Sequence, residues 1–465
     1  MNTSVNWAHS ELASVWLRDP RLETRLIGIV EKLSERPESS CTEALGSRAA
    51  VVGAYRFWNN ETVRPEEILR PHAESTARRA AEYATVLVAQ DATDINLTDH
   101  PETEGRGYLY FNTRGLLLHS LLAISPNGLP LGLLRQFMWV RPLEDLKAGK
   151  KARYRPIEEK ETHYWLDGLK AAEAALPHHP HVVVISDSES DIFDLFAAPR
   201  PSRVDLLVRV CRATRRIDRP AKYLRAALLA SPLRGQTQVK VPRAGGRPAR
   251  TAKMAIRWLS LSIRAPKNDH PNRPPVRLQF ILVDEIDPPK GVKPLRWILA
   301  TTMPVNTLED ALCYAQWYTY RWRIERYHFV LKSGCQIEDS LLKTVEAMKR
   351  AIATYSIVAW RLLWLTYQAR QTPDAACTMV LEDFEWQSLC AKIYPSKPLP
   401  LQPPTLREAV RMIAQLGGFL GRKGDGEPGV KILWRGLRRL HDISQGWLQG
   451  QSHGKPGNAS IATSV

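Results

Sequence analysis

Two short apolar runs in this chain, ATVLVAQ at 84–90 and HVVVIS at 181–186, each give way at once to an aspartate, Asp91 and Asp187. Runs of that length, bounded by turn residues, are buried strands. A carboxylate directly behind one is costly unless it binds something or caps the next element. The surrounding pattern alternates. Residues 115–124 and 131–138 read as two more strands joined by a Pro-Asn-Gly turn at 126–128. Residues 158–176 read as a helix stopped by Pro177, 189–196 as a short helix and 204–210 as a fifth strand. Three strands, a helix, a strand, a helix and a strand make an α/β order around one mixed sheet. If the first and fourth strands run parallel as neighbours, both aspartates reach one end of it. For Asp187 the plainer reading is an N-cap of the helix behind it.

Charge sets the class of partner. The 465 residues hold 65 Lys/Arg and 48 Asp/Glu, a net of +17, which calls for a polyanion, either nucleic acid or an anionic membrane. No apolar run approaches the ~20 residues of a membrane span. The N-terminal MNTSVNWAHSELASVW lacks the basic and apolar regions of a signal peptide. Six cysteines without a CxxC pair suggest neither a disulfide framework nor a zinc site. A soluble protein of a reducing compartment is expected. Residues 200–296 carry 23 Lys/Arg against 6 Asp/Glu, so this segment holds the whole +17 and the rest nets zero. Within it 236–241, 254–263 and 276–283 read as strands. The expectation is a basic β-rich insertion that tracks phosphates; the bland alternative is a solvated face kept for solubility.

Residues 1–70 read as helical, with Arg21, Arg25, Arg56 and Trp58 able to meet DNA, although arginines of small bundles are usually solvated or ion-paired. The chain is helical again from about residue 373. There 406–420 and 430–448 carry apolar stripes (Val410, Ile413, Leu416; Leu433, Leu437, Leu440, Ile443, Trp447) that suit either a dimer interface or the chain's own core. Residues 307–332 read as one long helix opened by a Thr307/Asp310 capping pattern. At ~100° per residue, Tyr318, Arg321, Glu325 and Lys332 fall on one arc of about 60°. That stripe is either a solvated face with Arg321–Glu325 pairing or a phosphate-gripping face around a metal-binding glutamate. Asp91, Asp187 and Glu325 together offer hard oxygen ligands suited to Mg²⁺, with Mn²⁺ as substitute, and not to Zn²⁺. Two such ions on three carboxylates serve an in-line phosphodiester displacement. Aspartates on the first and fourth strands and a glutamate on a late helix make a ribonuclease-H-like arrangement.

The stretches GAYRFWNN, QDATD, the HS of GLLLHSLL, ISDSESDI, DLLVRV, PPKGVKPLRWILATTMPV and YTYRWRIERYHFVLKSG carry a family resemblance. With them the chain resembles the bacterial DDE transposases of the insertion sequence four family. Tyr318, Arg321, Glu325 and Lys332 match that family's Y-(2)-R-(3)-E-(6)-K signature. The resemblance implies a catalytic, metal-binding triad of Asp91, Asp187 and Glu325. It implies that Tyr318, Arg321 and Lys332 hold phosphates beside the cleaved end, that Arg209 contacts DNA, and that Trp297 stabilises a flipped base. Arg21 and Arg25 fall in an end-recognition helix, with Leu22 standing where another arginine is expected. The implied organisation is a helical DNA end-recognition domain (1–70), a ribonuclease-H-like α/β catalytic domain (71–372, with the basic insertion at about 200–296) and a helical dimerisation domain (373–465). The implied protein is a cytoplasmic, nucleoid-associated cut-and-paste transposase. It acts on double-stranded terminal repeats and target DNA as a homodimer, through a hairpin intermediate. A non-catalytic, inhibitory DNA-binding relative and a structure-selective nuclease are the competing readings.

Overall fold

The structure, a computed structural model, describes residues 7–142, 156–217, 223–241, 249–266, 273–422 and 424–453. The expected strands form, and several run longer. They are β1 (Val86–Asn96), β2 (Gly107–Tyr108), β3 (Arg114–Ile124), β4 (Pro130–Trp139), β5 (Val182–Ser186), β6 (Val204–Arg209), β7 (Gly235–Val241), β8 (Arg250–Ile263), β9 (Val276–Ile286) and β10 (Arg296–Thr301). All belong to one mixed sheet in the order β2-β3-β1-β5-β6-β10-β9-β8-β7, with β4 paired to β3. Strands β4, β3 and β1 are antiparallel, and β1, β5 and β6 are parallel. That half of the sheet is a ribonuclease-H-like core. Its central strand β5 is buried at every residue, as expected of a parallel strand covered on both faces.

The basic segment is β-rich, and its strands continue the core sheet, because β10 pairs with both β6 and β9. Much of its charge is used internally. Arg215 pairs with buried Asp191, Arg250 with Glu285, Arg273 with Asp194, and Arg296 with Asp284 at 2.7 Å. Lys240 and Lys253 are exposed on β7 and β8. Arg243 and Arg247 lie outside the described residues.

Contacts gather the chain into two compact units: Ala73–Thr98 with Arg106–Glu325, which contains the sheet, and Met1–His72 with Asp99–Gly105 and Arg326–Val465, which is helical. The helical unit therefore takes in both terminal regions. Its spine is the Val345–Gln371 helix, buried over most of its length. Trp58, expected as a DNA contact, is instead a core residue of this unit, 1% exposed, with its indole N–H donating to Thr354 Oγ1 at 3.2 Å. The stripes of the Leu406–Leu416 and Val430–His453 helices also face inward. Val410, Ile413, Leu416, Leu433 and Leu440 share one buried cluster, with Leu437 and Ile443 packed against it. Of the two readings of these stripes, those residues take the one in which they pack on the chain's own core.

The two helices touch backbone to backbone. A Cβ on Gly436 would stand 1.9 Å from Ile413 O, and one on Gly417 2.0 Å from Ile432 O. Gly436→Ala should therefore destabilise the helical unit by at least ~1–3 kcal/mol. Gly446→Ala, in open space on the same helix, should stabilise it by up to ~1 kcal/mol. Urea unfolding of the two variants checks this; equal effects would contradict the close crossing.

Candidate active site

Asp91 does not follow its strand, as the apolar run suggested, but sits inside β1, where the parallel pairing with β5 stops at Ala89↔Ile185. The antiparallel pairing to β3 carries on past it, with Asp91 opposite Ser120. The polar half of β1 was illegible as strand because only one neighbour holds it there. Extending the β1–β5 register by two residues sets Asp91 level with Asp187. Extending β5–β6 by one from Ser186↔Val208 sets Asp187 level with Arg209. Residues level on neighbouring strands share a face, so a row Asp91, Asp187, Arg209 crosses the carboxyl ends of three parallel strands. Leu299 on β10 pairs with Arg209, which puts Trp297, two residues earlier, on the same face. Trp297 is half-buried, so it is not one of the fully enclosed core aromatics.

Asp187 is an N-cap as well. Its Oδ1 accepts from Glu189 N–H at 2.8 Å and opens the 3₁₀ turn Ser188–Ser190. Asp191, which the sequence reading passed over, anchors the next loop. Its carboxylate accepts from the N–H groups of Cys211 (3.1 Å) and Arg212 (2.9 Å) and pairs with Arg215. An acid four residues behind a strand-end aspartate, with a run of arginines after the following strand, was the signal available.

The expected single helix over 307–332 is three pieces. The Thr307/Asp310 capping box opens Leu308–Tyr320 as expected. At Arg321 the hydrogen bonds tighten, Arg321 N–H donating to Tyr318 O at 3.1 Å and Ile324 N–H to Arg321 O at 3.0 Å, before Trp322–Phe329 continues. Val330–Gly334 is then a π-turn, closed by Cys335 N–H to Val330 O at 2.8 Å. A uniform 100° projection thus fails for the four signature residues. Tyr318, Arg321 and Glu325 stay in the sheet unit, whereas Lys332 lies in the helical unit, on the π-turn, 3.5 Å from Glu338. The β3–β4 turn fixes the break. Gly128 (φ +87°) has room for no Cβ, since one would lie 2.7 Å from the Tyr320 ring, and its carbonyl accepts from Arg323 Nε at 3.2 Å.

This junction delivers Arg321 to the carboxylates. Its guanidinium, 5% exposed, lies 3.3 Å from Asp91 Oδ2 and also pairs with Glu325. Burial pushes the Asp91 carboxyl up to about 7; Arg321 opposes this, and the charges of Asp187 and Glu325 add to it. Tyr318 is 4% exposed, and burial raises its phenol against the pull of Arg321 and Arg209. Among the described residues, Tyr318 Oη and Arg321 Nε are both buried without a hydrogen-bond partner, the condition of groups that await one.

The donor chemistry fits a divalent ion: three carboxylate groups whose oxygens are hard ligands. Among the described residues no three acids, histidines or cysteines stand close enough together to enclose an ion. Arg321 is instead the cation between Asp91 and Glu325. Arg21 and Arg25 belong to the other unit, on the Pro20–Glu35 helix. Arg21 is folded back onto its N-cap Asp19 at 3.0 Å, and Arg25 lies 3.4 Å from where a Gly53 Cβ would be.

Three family models match. A transposase DNA-binding model covers residues 4–63, a transposase DDE domain 144–361, and a transposase Tn5 dimerisation domain 357–457. A solved structure, the cryo-EM structure of the piggyBac transposase synaptic complex with hairpin DNA, is 10% identical with a TM-score of 0.34. The alignment covers 97% of this chain and 79% of that one. At that score the likeness carries no weight here.

The raised Asp91 carboxyl has a consequence for stability. A group whose folded pKa lies above its unfolded value of about 3.9 stabilises the fold fully below that value and loses the contribution as pH rises through the folded one, about 7. In EDTA, Asp91→Asn should therefore gain stability on the wild type as pH climbs across that window. Parallel pH profiles in urea unfolding would contradict this.

Proposed function

Because the chain belongs to the Tn5-like DDE transposases of the insertion sequence four family, we propose that it cuts and joins DNA at the row Asp91–Asp187–Glu325. Its substrates would be the terminal repeats of its own element and then target DNA. The observation that carries this reading is the convergence of the two strand-borne aspartates and the helix-borne glutamate, with Arg321 and Tyr318, at one end of a ribonuclease-H-like sheet. Asp91, Asp187 and Glu325 would hold Mg²⁺ or Mn²⁺, two ions per site. When bound, these would activate the attacking oxygen and stabilise the leaving one.

The chain's own residues supply the rest. Arg321, Arg209 and Tyr318 offer phosphate donors on the same face as the carboxylates. The unpartnered Tyr318 hydroxyl and Arg321 Nε would find acceptors in a scissile phosphodiester. Arg321 could then exchange carboxylates for phosphate, and the acids would be released to bind cations. Trp297, on that face beyond Arg209, would take a flipped base by stacking, and Lys332 would hold phosphate from its π-turn. Arg21 and Arg25 would read the end within residues 1–70. Residues 71–372 would do the chemistry, and 373–465 would join two copies in the synaptic complex. The described residues contain no helix long and apolar enough to cross a membrane.

The test uses a duplex bearing the inverted repeat that flanks the gene, with Mg²⁺. Wild type should give nick, hairpin and strand-transfer products. Asp91→Ala, Asp187→Ala and Glu325→Ala should each give none while still binding the duplex, since Lys and Arg neutralise the phosphates. A single variant with near-normal cleavage removes that residue from the site. Charge on the extended sheet is checked separately. Lys240→Ala with Lys253→Ala should lower the log–log salt slope of binding by roughly 0.9 per phosphate contact. Arg250→Ala, whose guanidinium is taken by Glu285, should leave the slope in place. The reverse pattern would overturn the assignment.

A further inference from the structure

A cavity of about 370 Å³ opens at the carboxylate end of the sheet, on the face away from Asp91. Its floor is Ala92 and Asp94 of β1 with their partners His119 and Leu117 of β3, and Trp139 of β4 opposite Leu117. These residues alternate with Asp91 and so point to the other side. The Tyr164–Ala175 helix supplies Tyr164, whose ring stacks on Trp139 with centroids 3.8 Å apart. Tyr110, 53% exposed, stands at the rim, edge to face with Phe111, itself 92% exposed at a loop tip with φ +46°. Glu189, two residues past Asp187, closes the near side.

The charged groups of this cavity are three carboxylates to one guanidinium. Asp94, Glu161 and Glu189 contribute carboxylates. His119 is 1% exposed, and burial pushes its ring down to about 3, so it stays neutral. Its Nε2–H donates to Gln90 Oε1 at 3.1 Å while Gln90 Nε2 donates to Trp165 O at 3.5 Å, which leaves His119 Nδ1 as an acceptor. Gly168 makes this arrangement possible, for a Cβ there would lie 2.1 Å from Gln90 Oε1. The obvious donor, Arg141, is committed to both oxygens of Glu161 at 2.6 Å and to Leu109 O at 2.6 Å. A cavity with this excess of carboxylates, walled by aromatic rings, repels phosphate, even in a chain of net charge +17. It suits a flat group that brings its own N–H donors.

We propose that this cavity receives a nucleobase bearing an exocyclic amino group, turned out of the DNA beside the catalytic carboxylates. The site is distinct from Trp297, which lies on the opposite face. The base would slide past Tyr110 onto the aromatic wall, and its amino hydrogens would be accepted by the Glu189 side. Stacking of this kind offsets much of the cost of unstacking. The base comes either from DNA flanking the terminal repeat or from the target, and the proposal rests on the transposase reading above.

The probe is 2-aminopurine, placed singly along the flank of an uncut terminal-repeat duplex in one arm. In the other it is scanned along a target duplex presented with a pre-cut end. Both arms use the full chain in EDTA, where no strand is cut. One position should brighten several-fold on complex formation, and the arm in which it falls identifies the source. Tyr110→Ala and Glu189→Ala should each at least halve that rise, and Glu189→Gln, which keeps an acceptor oxygen, should restore it. The proposal is overturned if no position brightens although the duplexes bind with normal salt dependence. It also falls if the rise survives Tyr110→Ala and disappears in Trp297→Ala. Failure of unmodified terminal-repeat duplex to bind at all would sink the transposase reading with it.

Discussion

A guanidinium lodged between two carboxylates holds the working end of this sheet together. A carboxylate withdrawn from water keeps its charge at a cost that a neighbouring cation offsets. Arg321 offsets part of that cost, touching Asp91 and Glu325 at once, yet burial, aided by the charges of Asp187 and Glu325, still pushes the Asp91 carboxyl up to about 7. The tightened turn at Arg321, the Gly128 contact beneath Tyr320 and the Thr307 capping box all serve to deliver that one side chain. Removing one partner of a buried pair typically costs ~3–5 kcal/mol, so Arg321 is a structural residue of this end of the sheet.

The same economy of charge runs through the extended half of the sheet. A segment that holds the chain's entire +17 spends Arg215, Arg250, Arg273 and Arg296 on neighbouring acids. The exposed remainder, Lys240 and Lys253 among it, is what a phosphate backbone can meet. The two faces of the sheet's carboxyl end differ in kind: Arg321 and Arg209 beside Asp91 on one, an excess of carboxylates with aromatic rings on the other.

The parallel strand was legible because β5 is apolar from Val182 to Ile185, and so was the ribonuclease-H-like order. The level placement of Asp91 and Asp187 was legible through the alternation of strands with aspartates. What lay hidden depends on tertiary pairing. The polar half of β1 is strand because β3 holds it, and nothing in DATDIN announces that. The helix break at Arg321 has no proline or glycine to mark it; it goes with contacts to residues far away in the chain, Asp91 paired with Arg321 and Gly128 against Tyr320. The stripes of Val410 and Leu433 look the same whether they meet a second copy or the chain's own core, and periodicity cannot distinguish these. Trp58 matched a resembling stretch, yet it packs inside.

The account makes Arg321 the cation that the carboxylates hold until DNA draws it away. Titrating Mn²⁺ into DNA-free protein and following free Mn²⁺ by electron paramagnetic resonance tests this directly. Arg321→Ala should bind Mn²⁺ more tightly than the wild type, and adding the terminal-repeat duplex should tighten wild-type binding towards the variant's. Equal or weaker Mn²⁺ binding by a folded Arg321→Ala protein would contradict it.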